Sequence, residues 1–169
     1  MTKAKTLPLL VRRARAADVA EIAEILGAKR KSYEAWQPVF WKRAKHQHLL
    51  TLIYIHLQVY FPRGAFLVCE RQGEVAGFLL ASTIKAPPVF DPGGRSILVD
   101  DFCVRDPDDW PTIGTALFDE LQAIASAKSW RQVIAVCAEQ DRPKAVFLKG
   151  VGLSTASIWC VGTFGQRAR

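Results

Sequence analysis

No apolar run in this sequence approaches the ~20 residues that a membrane-spanning helix needs. The four cysteines, Cys69, Cys103, Cys137 and Cys160, lie far apart and form no C-x-x-C pair. That spacing speaks against a zinc site or a disulfide framework and for buried, reduced thiols, each inside a predicted strand. Histidine is scarce. His46 and His48 stand two apart and would point in different directions on a helix, so no metal site is expected. Internal repeats and low-complexity segments are absent. Residues 1–6 carry no apolar segment of the signal-peptide kind, which makes the cytoplasm the expected location.

What is present is the composition of a soluble domain. Half of the 169 residues are apolar and 23% are charged, so one domain over 1–169 with a self-sufficient core is expected. The formal charge is +7, and residues 1–45 carry all of the excess, with 11 Lys/Arg against 4 Asp/Glu. A solvated basic face, attraction of an anionic ligand and a nucleic-acid surface all fit such a quarter. No nucleic-acid-reading motif accompanies it, so nucleic acid is not the expected partner.

Leu9–Arg13 reads as a first strand. Asp18 reads as an N-cap, with Glu21 three positions on and Val19, Ile22, Ile25 and Leu26 at helical spacing. Lys29–Lys45 is basic, is interrupted by Pro38, and carries Tyr33, Trp36, Phe40 and Trp41. Leu49–Tyr60 fits a helix or a strand by periodicity. Ala65–Arg71 and Val75–Thr83 read as a hairpin around Gln72-Gly73-Glu74. Residues 85–96 form a Pro/Gly-rich loop.

The central stretch is 97–128. Ile97–Val104 reads as a strand, Asp106–Pro111 as a turn, and Ile113, Leu117, Leu121 and Ile124 line one face of a helix. A strand entering a helix N-terminus through a short loop is a geometry that binds anions. Arg131–Ala138 then reads as a buried strand, parallel to the central one across the intervening helix. Pro143–Val151 reads as a short helix stopped by Gly152, and Ala156–Gly162 as a last strand.

Val104–Leu117 resembles the coenzyme A loop of the GNAT-type N-acetyltransferase superfamily, through Ile113-Gly114-Thr115-Ala116-Leu117. Asp109 and Thr112 stand where that motif has Arg/Gln and its first Gly. The opening Val11-Arg12-Arg13-Ala14 with Asp18, the hairpin with Gly77 before Phe78, and the run from Asp141 to Gly152-Leu153 are similar to the family as well. Leu148 occupies the place of the family's Tyr. The resemblance covers about residues 9–162. It settles Leu49–Tyr60 as the second helix. It implies a mixed α/β fold, with a mostly antiparallel central sheet, splayed central strands and flanking helices.

It also implies acetyl transfer from acetyl-CoA to an amine of a small molecule or peptide, by direct attack. Under that resemblance Phe102, Cys103 and Val104 present backbone groups to the thioester. Trp110, Thr112, Ile113, Gly114 and Thr115 present helix N-terminal amides to the pyrophosphate, and Asp141 marks a further coenzyme contact. Tyr33, Trp36 and Phe40 lie on the acceptor side, as pocket walls or as core caps. Asp100 and Asp101 are candidates for the general base, or for holding a substrate ammonium or a neighbouring loop. Adjacent strand residues alternate, so only one of the pair is expected to face the pocket. A contrasting reading is a GNAT-fold binding or regulatory module without catalysis. A shortened C-terminal end would expose a sheet edge able to pair in a homodimer.

Overall fold

The computed structural model describes residues 8–164; residues 1–6, read above for a targeting segment, lie outside them. β1 (Leu9–Arg13) leads through a 3₁₀ turn, Ala16–Asp18, into α1 (Val19–Trp36). α1 stops just before Gln37-Pro38, because the residue preceding a proline is driven out of the helical region. α2 (Gln47–Tyr60) follows, so the ambiguous segment is helical. β2 (Gly64–Arg71) and β3 (Glu74–Ile84) make a hairpin whose central residues Gln72 and Gly73 both have positive φ, 60° and 85°, the primed turn that suits strand twist. β4 (Arg95–Val104) is two residues longer at its start than the pattern suggested. A 3₁₀ turn (Pro107–Asp109) and a π-helical turn (Trp110–Gly114) lead into α3 (Thr115–Ala127). β5 (Trp130–Ala135) and α4 (Arg142–Gly150) complete the fold.

The sheet order is β1-β2-β3-β4-β5, antiparallel except for the β4–β5 pair. Alternation along the strands divides the core between two faces. Ile22, Leu26, Ile55, Phe66, Val68, Phe78 and Cys103 pack beneath α1 and α2. Leu67, Leu79, Ile97, Phe102, Ile113, Leu117, Leu121 and Phe147 pack on the α3 and α4 side. Gly77 permits a close crossing. A Cβ there would lie 2.7 Å from Ile113 Cγ2 and 2.9 Å from the Cys103 carbonyl oxygen.

Three expectations need correcting. Residues 156–162 form no strand; Ile158 and Trp159 are about four-fifths exposed, and Cys160 is exposed. β5 ends at Ala135, so Cys137 also lies outside a strand. Asp18 makes no side-chain cap of α1. Its carboxylate accepts the Arg15 N–H at 2.6 Å and pairs bidentately with Arg12 at 2.8 Å, while Glu21 accepts the Val75 N–H at 2.9 Å. Arg12 of β1 and the Arg15 N–H before the 3₁₀ turn occupy the Asp18 carboxylate, and the Val75 N–H of β3 occupies that of Glu21, so neither serves the box expected at α1.

Candidate active site

The site begins where two parallel strands part. The β4–β5 register ends at Val99↔Ala135, with one further bond from the Val136 N–H to the Val99 carbonyl at 3.1 Å. β4 continues to Val104, so among the described residues its backbone from Asp101 onward has no strand on the β5 side. At the same level β4 carries a bulge against β3. Leu80 pairs with Asp101 and Ala81 with Val99, leaving Asp100 as the extra residue. A bulge breaks strand alternation and re-aims side chains. Asp100 and Asp101 therefore both line one cleft, which corrects the expectation that only one would.

That cleft, of about 430 Å³, is walled by Lys29, Arg30 and Tyr33 of α1, Phe40 and Trp41 of the following loop, Thr51 and Tyr54 of α2, and Val136. Lys29 Nζ stands 3.7 Å from Asp101 Oδ1 and 5.1 Å from the centre of the Tyr33 ring. The buried Tyr33 hydroxyl donates to Asp141 Oδ2 at 2.8 Å and so ties α1 to the start of α4. Phe40 is on the wall. Trp36 is not: it is 40% exposed and packs against Tyr33 at 5.4 Å, and Trp41 takes the inner place.

Charge in the cleft is strongly biased. Burial raises the Asp100 pKa above the usual carboxylate range, and neighbouring Asp101 adds to the rise. Burial also raises the Tyr54 hydroxyl to about 12, helped by Asp101 and Asp100. For Lys29, burial opposes the charge, but contact with the Cys103 sulfur and the nearby carboxylates of Asp101 and Asp141 outweigh burial and raise its pKa. The Cys103 thiol is pushed up by burial and stays neutral.

The loop before α3 is packed more tightly than its motif suggests. Asp109 is clamped by Arg71 through two 2.7 Å bonds, and the Thr112 hydroxyl donates to the Asp109 carbonyl at 3.2 Å. Asp106 caps the Asp108 N–H at 3.0 Å. Trp110 is buried, stacked on Phe147 at 4.9 Å and edge-on to Phe102 at 4.9 Å. Ile113 and Gly114 are buried as well. Two of the five expected amide donors are already used: Trp110 N–H bonds to the Pro107 carbonyl, and Thr115 N–H to those of Thr112 and Trp110. The helix starts earlier than its apolar spacing implied, so the open end of the turn belongs to Thr112 and Ile113.

Gly114 is a packing glycine. A Cβ there would meet Trp110 Cε3 at 2.7 Å and Phe147 ring atoms at 3.2 and 3.3 Å. Its φ of −59° is ordinary helix, so the requirement is for space alone. Gly114→Ala is expected to destabilise the fold by about 1–3 kcal/mol through overpacking, outweighing the ~1 kcal/mol helix-propensity gain. Urea unfolding measures this directly.

One buried group behind the cleft, within electrostatic reach of Asp100 and Lys29, escaped the sequence reading. Lys144 is fully buried in the first turn of α4, and its Nζ has no hydrogen-bond partner among the described residues. The ammonium lies 5.9 Å from the ring centres of both Phe102 and Trp110. Burial and the nearby Lys29 lower its pKa to about 8. Asp141, expected at the coenzyme, caps this helix by accepting the Lys144 N–H at 3.4 Å and holds the Tyr33 hydroxyl. The signal for Lys144 was present: it shares a helix face with Phe147 and Leu148, three and four residues on, where a lysine breaks the apolar pattern. Among the described residues, no group of three or more His, Cys, Asp or Glu is placed to hold a metal ion.

No family model matches the sequence, and no curated protein does so by sequence. Solved structures do match by fold. A point mutant of the BH1408 protein of Bacillus halodurans aligns with TM-score 0.80 at 13% identity, covering 92% of this chain and 99% of that one. A predicted acetyltransferase with acetyl-CoA from Clostridium acetobutylicum aligns with TM-score 0.66 at 16% identity, covering 92% and 96%. A ribosomal-protein-alanine N-acetyltransferase from Brucella melitensis biovar Abortus aligns with TM-score 0.63 at 19% identity, covering 94% and 100%.

Proposed function

We propose that this chain, whose fold is of the GNAT type, is an N-acetyltransferase carrying an acetyl group from acetyl-CoA to an amine of a small molecule or peptide. The observation that carries the reading is the opening between β4 and β5, with the Asp100–Asp101 bulge on one wall and an unpartnered buried amine beside it. The acyl end fits: unpaired β4 backbone offers its polar groups to a thioester arm, and the amine of Lys144 is left over by the fold.

Acetyl-CoA supplies an activated acetyl group. The chain does the rest. Backbone groups of Phe102, Cys103 and Val104 orient the thioester and polarise its carbonyl. Amides of Thr112 and Ile113 meet phosphate at the helix N-terminus. Asp100 takes the proton of the attacking amine, since its raised pKa makes it the stronger base and Asp101 is engaged with Lys29. Tyr33, Phe40, Trp41 and Tyr54 wall the acceptor. The neutral thiol of Cys103 is a poor nucleophile, which favours direct attack over a thioester to the protein. Pairing of two chains through the β5 edge, the last strand of the sheet, is the dimer this arrangement favours, and sedimentation checks it.

A panel of amines incubated with acetyl-CoA tests the activity through release of free thiol. Turnover above the no-amine rate is expected for at least one acceptor. A second reading, a GNAT-fold module without catalysis, is favoured by one observation. Asp106, Asp108 and Asp109 cluster where pyrophosphate would lie, and Arg71 pairs directly with the last of them. Silence across the panel together with loss of coenzyme binding selects that reading.

A further inference from the structure

The scheme above leaves the leaving sulfur without a proton donor. Leu148, in the place where the resemblance puts a tyrosine, is buried and has nothing to give. Tyr33 is near, but its hydroxyl already donates to Asp141, and burial together with that carboxylate raises its pKa further. We infer that Lys144 is the general acid, a catalytic residue whose ammonium protonates the departing thiolate; this rests on the acetyltransferase reading.

Placement carries the inference. Lys144 lies one helical turn before Leu148 on the same face of α4. Its neighbours come from both diverging strands beyond their last pair: Phe102 and Cys103 from β4, and Cys137 after β5. Three ammonium hydrogens are buried there with no acceptor among the described residues, a costly arrangement that a bound sulfur would satisfy. The faces of Phe102 and Trp110 support a cation without taking its proton. The charged and titratable groups around it are Lys29 from α1, Asp100 and Cys103 from β4, Cys137 after β5 and Asp141 at the α4 cap. Their sum, with burial, poises the amine near neutral pH, where a general acid works best.

The step balances. The acceptor nitrogen bonds to the thioester carbonyl carbon and loses one proton to Asp100. The carbon–sulfur bond breaks with its electron pair going to sulfur. Lys144 gives its proton to that sulfur and is left as a neutral amine. Solvent then returns a proton to Lys144 and removes the one on Asp100.

The test compares wild type with Lys144→Met, which keeps chain length without charge, and with Lys144→Gln should the first fail to fold. Calorimetry first measures coenzyme A binding. Ultraviolet titration of the bound coenzyme A thiol then reads its ionisation in each complex, independently of turnover. The thiol is expected to ionise at a pH about one unit lower in wild type, the effect of a nearby ammonium. In the variant kcat is expected to fall about 10²–10⁴-fold, with the acetyl-CoA KM within about threefold. Equal thiol titration, or turnover within about threefold of wild type, would overturn the assignment to Lys144 and leave the acetyltransferase reading standing. Failure of wild type to bind coenzyme A overturns that reading, and this inference with it.

Discussion

Lys144→Met is expected to stabilise the folded chain at pH 7, with about 3 kcal/mol of that gain fading as the pH approaches 10.5. In the folded state the lysine pKa is lowered from 10.5 to about 8. The unfolded chain therefore binds more protons between those two values, and wild-type stability from this group rises with pH across that window. Below about pH 8 the full cost of the buried charge applies. The methionine side chain fills the same space beside Phe102 and Trp110 without a charge to desolvate. Burial pushes up the thiols of Cys103 and Cys137, which works in the opposite direction at alkaline pH. Lys144 holds both thiols down, so in the methionine variant they rise further and help to erode its advantage at alkaline pH. Urea unfolding at pH 7, 9 and 10 gives the comparison. A difference that does not vary with pH would mean that the amine is solvated in the folded state.

The second large effect is on turnover. Asp100→Asn is expected to lower kcat about 10²–10⁴-fold, the range for removing a positioned general base. The wild-type rate should rise with pH as Asp100 loses its proton, and this acid limb should lie above the ordinary carboxylate range, because burial and Asp101 favour the protonated form. The asparagine variant should lose that limb. Asp101→Asn should act differently, since it breaks the 3.7 Å pair with Lys29 and so changes stability along with rate. Rate profiles of the three proteins from pH 5 to 9 separate these roles. A limb unchanged in Asp100→Asn would assign the base elsewhere.

The order of elements could be read from the chain because each carries a strong local signal. The Gln72-Gly73 turn, the 3.6-residue spacing from Ile113 to Ile124, and Pro38 behind α1 are examples. Periodicity did not separate helix from strand for α2, and Ile53, Leu57 and other large apolar residues of that helix remain exposed. The site was less legible, for reasons that lie in tertiary structure. A bulge has no reliable sequence mark, so alternation was assumed through Asp100 and Asp101. Trp110, Ile113 and Gly114 sit in a motif that suggests a ligand, yet Trp110 and Ile113 pack into a core with Phe102 and Phe147, and Gly114 leaves the room that this packing needs. Ala156–Gly162 has strand-like residues, but propensity cannot supply a partner strand.

The acetyl-CoA site is the claim on which the functional account stands, and calorimetric titration addresses it most directly. Thr112→Glu is a suitable control, because Thr112 is exposed at the open end of the π-helical turn and the substitution adds bulk and negative charge without entering the core. The account predicts saturable binding to wild type and at least tenfold weaker binding to the variant, a difference of about 1.4 kcal/mol or more. No binding to wild type at millimolar acetyl-CoA would contradict the account and leave a GNAT-type fold put to another use.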